Sequence, residues 1–136
     1  MTEQPKPERK SGARFDGFVP VRAPIDAYGN GGFRFGDMSH RGSLLALADG
    51  MHAWGIAVDG AADDAALLAI LAKLEMPQFL LFGTGRAQVF PSLAVRKAFL
   101  DRHIGLEVMD TGAACRTYNV LLAEQRPVMA AFIAVD

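Results

Sequence analysis

The hydrophobic period of the chain changes at Gly60, and this change constrains the fold more than any other feature of the sequence. Between Phe15 and Val58, apolar residues alternate with polar residues or with Gly and Pro, which is typical of short β-strands. After Gly60, stretches with helical spacing alternate with short, continuous apolar runs. The sequence therefore predicts a layered α/β domain that begins with antiparallel β-hairpins and has a largely parallel sheet in its second half.

The clearest hairpin is predicted around Asp49-Gly50. These two residues separate the apolar stretches 43–47 and 51–56. Asp-Gly favours the type I′ turn, whose twist matches that of paired strands. We therefore expect an antiparallel hairpin with a type I′ turn at Asp49-Gly50. A second glycine-rich turn, Asn30-Gly31-Gly32, provides residues that tolerate positive φ before the next strand.

Three helices are predicted in the second half of the chain. The first is capped by Asp63 or Asp64 and closed by Pro77, and the second is opened by Pro91. The third is capped by Asp110 or Thr111. Short apolar runs predict strands over residues 79–82, 106–109 and 128–135.

Length and composition exclude several classes of protein. The chain has 136 residues, so we expect a flexible tail over residues 1–14 and a single domain over residues 15–136. Its 14 basic and 15 acidic residues give no broad positive field, which argues against a nucleic-acid partner. Charged residues, Gly or Pro interrupt every apolar run, so no transmembrane segment is predicted. One cysteine and no secretory signal predict a cytoplasmic protein.

Two loops at predicted strand ends form a candidate ligand cleft. Parallel sheets bind ligands beyond the carboxyl ends of their strands, where loops and helix N-termini meet. If neighbouring strands carry both loops, their backbone N–H groups and two arginines share one cleft that suits a carboxylate or a phosphate. The residues of this candidate cleft are Gly83, Thr84, Gly85, Arg86, Asp110, Thr111, Cys115 and Arg116.

Each of these residues also has a purely structural interpretation. A glycine after a strand often serves a tight turn, and Arg116 has possible ion-pair partners in Asp110 and Glu107. Arg116 and Asn119 together are also suited to bonding buried backbone at the junction of helix and loop. Cys115 is either a thiol activated at a helix N-terminus or a small buried hydrophobe, and we favour the buried interpretation.

Known catalytic and cofactor motifs are incomplete in this sequence. Gln88 occupies the position of the last glycine of a dinucleotide-binding fingerprint, and there is no Gly-Lys-Ser/Thr phosphate loop. Ser43 is not in a Gly-x-Ser-x-Gly elbow, and the three histidines lack ligand spacing with Cys or with acid pairs. We therefore predict no catalytic residue, no cofactor and no metal site, and consider an enzyme the less favoured class.

Several stretches together resemble one small α/β family. It is the family of formerly unknown function that includes the mitochondrial respiratory complex I assembly factor and adipogenesis-associated proteins, with many bacterial members. The resemblance implies a three-layer fold with a central mixed sheet flanked by helices, and it implies no catalytic residue, substrate or cofactor. The stretches that carry it are Tyr28-Gly29-Asn30-Gly31-Gly32-Phe33-Arg34-Phe35, Gly42-Ser43-Leu44-Leu45, Trp54, Gly83-Thr84-Gly85 and Met109-Asp110-Thr111-Gly112-Ala113-Ala114-Cys115-Arg116-Thr117-Tyr118-Asn119.

The expected function is that of a non-enzymatic assembly or interaction factor. The resemblance implies protein partners, such as membrane-insertion or respiratory assembly machinery. Homodimerisation is one way to cover the edges of the early hairpin. The alternative is a small-anion-binding protein or an enzyme that uses the cleft around residues 84–86 and 110–116.

Overall fold

A computed structural model describes residues 13–74 and 79–136 of the protein. Residues 1–12 of the expected tail and Pro77, the predicted end of the first helix, lie outside the described residues. The helices of the described part are α1 (Asp64–Leu71), α2 (Leu93–Asp101) and α3 (Thr111–Ala123). Its strands are β1 (Ala13–Arg14), β2 (Phe18–Val19), β3 (Ala27–Gly29), β4 (Gly32–Phe35), β5 (Met38–Arg41), β6 (Ser43–Leu47), β7 (Gly50–Trp54), β8 (Phe79–Gly83), β9 (Gly105–Met109) and β10 (Val128–Phe132).

The strands form two sheets, and the larger one is mixed. Its strand order is β2-β7-β6-β10-β8-β9. The strands β10, β8 and β9 run parallel to one another, whereas β6 pairs with β10 in the antiparallel direction. The smaller sheet has the order β1-β5-β4-β3, with antiparallel pairs from β3 to β5 and a parallel pair of β1 with β5. The predicted mixed, partly parallel α/β fold with an N-terminal hairpin region is confirmed.

Alternating residues of the central strands supply two cores. On β10, Met129 and Ala131 pack with residues of α1 and α2, and Ala130 and Phe132 pack with α3 and the small sheet. This alternation follows from the pleat, which turns successive side chains to opposite faces. The layers are therefore α1 and α2, the six-stranded sheet, and α3 with the small sheet.

The hairpin predicted at Asp49-Gly50 is present, but the predicted turn type is wrong. Leu47 pairs with Gly50, so the connecting residues are Ala48 and Asp49, and neither has the positive φ that a type I′ turn requires. Gly50 lies in β7 with a φ of +141°. A Cβ atom there would lie 1.9 Å from the carbonyl oxygen of Val19. The glycine is therefore required by the close approach of β2 rather than by the turn.

Turns with positive φ at both central residues occur in the small sheet instead. Asn30 and Gly31, which connect β3 to β4, have φ values of +52° and +83°. Gly36 and Asp37, which connect β4 to β5, have values of +54° and +64°. Both loops thus have the positive φ pair that type I′ hairpins need, as the Asn30-Gly31-Gly32 pattern predicted for the first of them.

The helix starts follow the predicted capping chemistry with one correction. The Asp63 carboxylate accepts from Ala66 N at 2.8 Å, and the Asp110 carboxylate accepts from Ala113 N at 2.8 Å. Pro91 does not open α2: the helix begins at Leu93, and Ser92 is its N-cap, because the Ser92 hydroxyl accepts from Val95 N. Pro91 precedes the cap, where its lack of an N–H is harmless.

Two predicted boundaries extend past the observed elements. The last strand ends at Phe132 rather than Val135, although residues 133–135 remain buried. Leu74 lies beyond the end of α1 and is nevertheless fully buried in the core under α1 and α2. In both cases burial continues after the regular backbone hydrogen bonds stop, so apolar pattern alone overestimates the length of the element.

Candidate functional site

The two predicted loops lie side by side at the carboxyl ends of β8 and β9 in the large sheet. β8 and β9 are parallel neighbours, and Gly83 pairs with Met109 in the register. The condition for a shared corner is therefore met. We call residues 83–86 and 109–111 the strand-end corner.

Hydrogen bonds between the two loops satisfy the polar groups of the strand-end corner. Thr84 N donates to Met109 O at 2.9 Å, and Thr111 N donates to Gly85 O at 2.9 Å. The hydroxyl of Thr111 accepts from Gly85 N at 2.9 Å and donates to Ile133 O at 2.7 Å. Thr111 is completely buried and Thr84 is 8% exposed. These backbone groups are committed to holding the loops and β10 together.

Gly83 allows α3 to approach the sheet closely. A Cβ at this position would lie 3.0 Å from both Ala114 Cβ and Thr111 Cα. Since real Cβ atoms essentially never come closer than this, a larger residue would push α3 away from β8. Gly83 therefore serves helix–sheet packing.

Cys115 is a core residue in the structure. Its side chain is 3% exposed and belongs to the core that α3 shares with the small sheet. Burial raises the pKa of the thiol to about 12, although the neighbouring Arg116 lowers it in part. The thiol is therefore protonated at neutral pH, which confirms the buried interpretation and argues against a nucleophile.

Within the described residues, the two arginines of the predicted cleft share no hydrogen-bond or ion-pair partner. Arg86 Nε donates to Asp59 Oδ1 at 3.1 Å, and its Nη2 donates to the Asp136 carbonyl at 3.1 Å. Arg116 is exposed and lies beside Gly112, where a Cβ would be 3.4 Å from its Nη1. In the described parts of the chain Arg116 has no ion pair with Asp110 or Glu107.

Tyr28 covers the start of α3 next to Arg116. Its hydroxyl would lie 2.3 Å from a Cβ at Gly112, so a larger residue there would require the exposed Tyr28 side chain to move. Asn119, further along α3, holds the loop before β3: its side-chain oxygen accepts from Ile25 N and its nitrogen donates to Ile25 O, both at 2.8 Å. Asn119 therefore has the junction-ordering role that was one of the predictions for it.

A small apolar pocket adjoins the strand-end corner. It has a volume of about 100 Å³, and Thr84 is the only member of the predicted cleft among its lining residues. Two exposed residues, Val89 and Phe90, form part of its wall. The lining, which defines the apolar pocket, comprises Gly60, Ala61, Ala62, Leu67, Phe82, Thr84, Val89, Phe90, Pro91 and Ile133.

A larger pocket lies on the small sheet and contains none of the predicted cleft residues. Its volume is about 240 Å³, and Arg34 and Arg41 contribute its charged side chains. Sequence reasoning missed both pockets. The exposed Val89-Phe90 pair next to a proline, and two arginines in strands that otherwise carry aromatic and small residues, were the available signals.

Two further features of the described residues bear on the class of protein. Within residues 13–74 and 79–136, no helix combines the length and the apolar character needed to cross a bilayer. In the same part of the chain, no three His, Cys, Asp or Glu side chains form a group suited to a metal ion.

The fold and this corner define a three-layer α/β domain with a mixed six-stranded sheet, and comparison with known proteins gives its family. Residues 25–133 match the model of a family described as "Protein of unknown function (DUF498/DUF598)", so the chain belongs to that family. An uncharacterized protein of Rhodobacter capsulatus is 39% identical over 112 residues, which are 81% of this chain and 83% of the relative.

Solved structures agree with this assignment. A crystal structure described as an outer membrane protein from Bartonella henselae is 42% identical with a TM-score of 0.78, and the match covers 86% of this chain and 98% of that one. A solution structure of a Mth938-like domain from Bordetella pertussis is 27% identical with a TM-score of 0.67, covering 82% and 85% of the two chains. The predicted membership of a small α/β family is confirmed, and the link to the complex I assembly factor stays a prediction.

Proposed function

We propose that this protein is a non-enzymatic assembly or interaction factor that binds a segment of a partner protein at its apolar pocket. The observation that carries the proposal is the exposure of large apolar side chains around this pocket. Val89 and Phe90, which line the pocket, are 59% and 60% exposed, and Leu93, two residues after the lining residue Pro91 in the chain, is 75% exposed. We call these three residues the apolar rim. Contiguous exposed apolar residues beside a cavity are typical of surfaces that another protein covers.

The size of the pocket favours an anchor side chain as its occupant. Its volume of about 100 Å³ is below the roughly 300 Å³ at which small-molecule sites begin. A narrow apolar pocket with an aromatic wall matches the anchor pockets of protein interfaces, in which one buried side chain supplies much of the binding energy.

Charge beside the pocket indicates what flanks that anchor. Asp59, Asp63 and Asp64 are exposed and border the lining residues 60–62. Arg86 pairs with Asp59, which leaves two carboxylates without a cationic partner among the described residues. We therefore infer that the partner segment carries a large apolar side chain next to Lys or Arg.

Membrane-protein complexes are the proposed source of this segment, with the protein acting in the cytoplasm. The resemblance to assembly factors of the respiratory chain supports this, as does the description of the 42% identical Bartonella henselae structure as an outer membrane protein. Apolar segments flanked by basic residues are common in such partners, since cytoplasmic loops next to membrane spans are enriched in Lys and Arg.

Site-specific photo-crosslinking in the native host tests the proposal. A benzophenone amino acid is placed at Phe90, and the matched control is the same amino acid at Val120, a 57% exposed residue of α3. The captured peptide is mapped by mass spectrometry and then synthesised. We expect it to carry an apolar residue beside a basic one and to bind on the order of tenfold more weakly to Phe90→Ser, because truncating an anchor contact typically costs this much. Binding to Val120→Ser should be unchanged.

Two results would contradict this function. One is the same set of adducts from positions 90 and 120, which would indicate random collision. The other is a mapped peptide whose affinity is equal for Phe90→Ser and the unaltered protein. The alternative function, binding of a small anion around residues 84–86 and 110–116, stays a prediction. It centres on Arg116, because Gly85 N bonds the Thr111 hydroxyl, that hydroxyl bonds Ile133 O, and Arg86 bonds Asp59 and Asp136.

A further inference from the structure

The side of β9 that faces away from β8, which we call the outer edge, is the longest open strand edge in the described part of the chain. β9 ends the six-stranded sheet and pairs with β8 over all five of its residues. The other strands that end a sheet within residues 13–74 and 79–136 are shorter: β1 and β2 have two residues each, and β3 has three. Very short edge strands resist pairing with another chain, whereas a longer edge is a template for it.

The backbone groups of Leu106 and Val108 lie along the outer edge. Met109 O accepts from Thr84 N at 2.9 Å, so the backbone of Met109 faces β8. Successive residues of a strand turn their N–H and C=O groups to alternate sides, and those of Leu106 and Val108 therefore point away from β8. Among the described residues, three of these four groups have no hydrogen-bond partner: Leu106 N–H, Leu106 O and Val108 N–H.

The side chain of Gln88 binds the fourth outward group. Its Nε2 donates to Val108 O at 2.9 Å. This is the bond that the backbone N–H of an added strand would make to the same oxygen. Gln88 is exposed, so the bond can be exchanged for one from another donor without disturbing the core. The outer edge therefore has room for a donor at hydrogen-bond distance.

The charge of Glu107 determines which strand can be added. Glu107 is exposed and makes no ion pair within the described residues. An antiparallel strand bonded to Leu106 and Val108 places one residue directly opposite Glu107, with the two Cβ atoms about 4.5–5.5 Å apart. A second copy of β9 in this register would bring two Glu107 side chains together, and like charges directly opposite each other are destabilising. Lys or Arg at that place is attracted instead.

The side chains of Leu106 and Val108 indicate what flanks that cation. Both are half-buried and pack against the core under α1 and α2. Residues directly opposite in a pair of strands project from the same face, so the added residues that bond Leu106 and Val108 lie beside these apolar side chains. Apolar β-branched residues fit such a half-buried surface best.

We propose that the outer edge of β9 binds an extended segment of a partner protein as an additional antiparallel strand. The segment carries Lys or Arg opposite Glu107, between apolar β-branched residues opposite Leu106 and Val108. Main-chain hydrogen bonds hold the segment, and its cation favours it over a second copy of this chain. The interaction does not require the apolar pocket, whose lining contains no residue of β9.

Amide NMR of the full chain with two synthetic peptides tests the charge. The probe is acetyl-Ser-Thr-Val-Lys-Val-Thr-Ser-amide, and the comparison peptide has Glu in place of Lys. We expect the lysine peptide to shift the amide signals of Leu106 and Val108 and to bind about fivefold more tightly than the glutamate peptide. This order should reverse in Glu107→Lys. It should persist in Glu124→Lys, the matched change of an exposed glutamate at the end of α3. The melting temperature of each variant verifies that the fold is intact.

A third peptide tests the main-chain hydrogen bonds. In the antiparallel register, the valine that follows the lysine lies opposite Leu106, and N-methylation of this valine removes the N–H that bonds Leu106 O. We expect the dissociation constant to rise about tenfold. Phe90→Ser should bind the unmethylated lysine peptide as tightly as the unaltered protein does, so failure of the apolar pocket and failure of the outer edge are distinguishable.

Five results would overturn the proposal. They are the absence of shifts at Leu106 and Val108, equal affinity for the methylated and unmethylated peptides, and a preference for lysine that persists in Glu107→Lys. The fourth is loss of binding in Phe90→Ser, because the peptide then belongs to the apolar pocket. The fifth is a set of shifts at Leu106 and Val108 that grow with protein concentration in the absence of peptide, because the outer edge is then occupied by a second copy of the chain.

Discussion

Replacing Thr111 with Val tests whether the strand-end corner is held by its buried hydroxyl. Valine keeps the branched shape of threonine, so packing around residue 111 is preserved. The substitution leaves Gly85 N without its acceptor at 2.9 Å and Ile133 O without its donor at 2.7 Å. Both bonds lie in the buried interior, where water does not replace the lost partner.

The expected cost follows from these two orphaned groups. A buried donor or acceptor left without a partner costs about 1–3 kcal/mol. Two of them give a loss of about 2–6 kcal/mol in the free energy of unfolding, which is a large part of the about 5–15 kcal/mol that holds a typical domain together. Thr111 is the first residue of α3, and helix propensity differs little between Thr and Val.

Urea denaturation measures this loss, with the fluorescence of Trp54 as the probe. Trp54 is the single tryptophan of the chain and packs edge-on against Phe82, at 6.2 Å between ring centroids. Thr117→Val is the control, because Thr117 lies half-buried in the same helix and makes no side-chain hydrogen bond within the described residues. Amide exchange at Gly85 gives a local readout and should accelerate in Thr111→Val.

One outcome would refute the reasoning. If Thr111→Val and Thr117→Val lower the free energy of unfolding equally, and the Gly85 amide remains protected, the hydroxyl does not hold the corner.

Three other predictions concern the packing of α3. Gly83→Ala should lower the free energy of unfolding by about 1–3 kcal/mol, because the new methyl group meets Ala114 Cβ at 3.0 Å. Gly55→Ala is the control in the same denaturation assay, since nothing lies within 4 Å of a Cβ at that position. Equal losses of stability in the two variants would contradict the packing argument. Cys115 should react with iodoacetamide only on unfolding, because burial raises the pKa of its thiol to about 12, and rapid modification of the native protein at pH 8 would show that the thiol is accessible. Because the folded state holds this proton more tightly, the stability that Cys115 contributes is intact below pH 9.0 and is lost as pH rises toward about 12; Cys115→Ala should therefore lose less stability than the unaltered protein over that range.

Much of the fold was predictable from local patterns in the sequence. The change of period at Gly60 predicted hairpins followed by alternating helices and strands, and the Asp63 and Asp110 caps lie where the sequence indicated. Caps and periodicity were readable because they depend on residues within one or two turns of each other. The predictions were wrong where a segment distant in the chain determines the local structure. Gly50 is an example, because the close approach of Val19, about thirty residues earlier in the chain, requires a glycine there.

In the candidate site, too, local features were predictable from the sequence and long-range contacts were not. The sequence predicted two loops at the carboxyl ends of strands and left open whether those strands are neighbours, and the structure shows that they are. What those loops do was decided by contacts across the fold: the Thr111 hydroxyl bonds Ile133, 22 residues away, and Asn119 bonds Ile25, 94 residues away.

The sequence by itself thus determined the order, the type and most starting points of the elements. Only the tertiary structure decided that the corner is closed by its own hydrogen bonds, that Cys115 is buried, and that exposed apolar surface lies at the apolar rim. The physical reason is that backbone geometry is fixed by neighbours in sequence, whereas burial and free surface depend on which distant segments meet. A side chain that looks available along the chain becomes a binding group only if no distant segment already covers or bonds it.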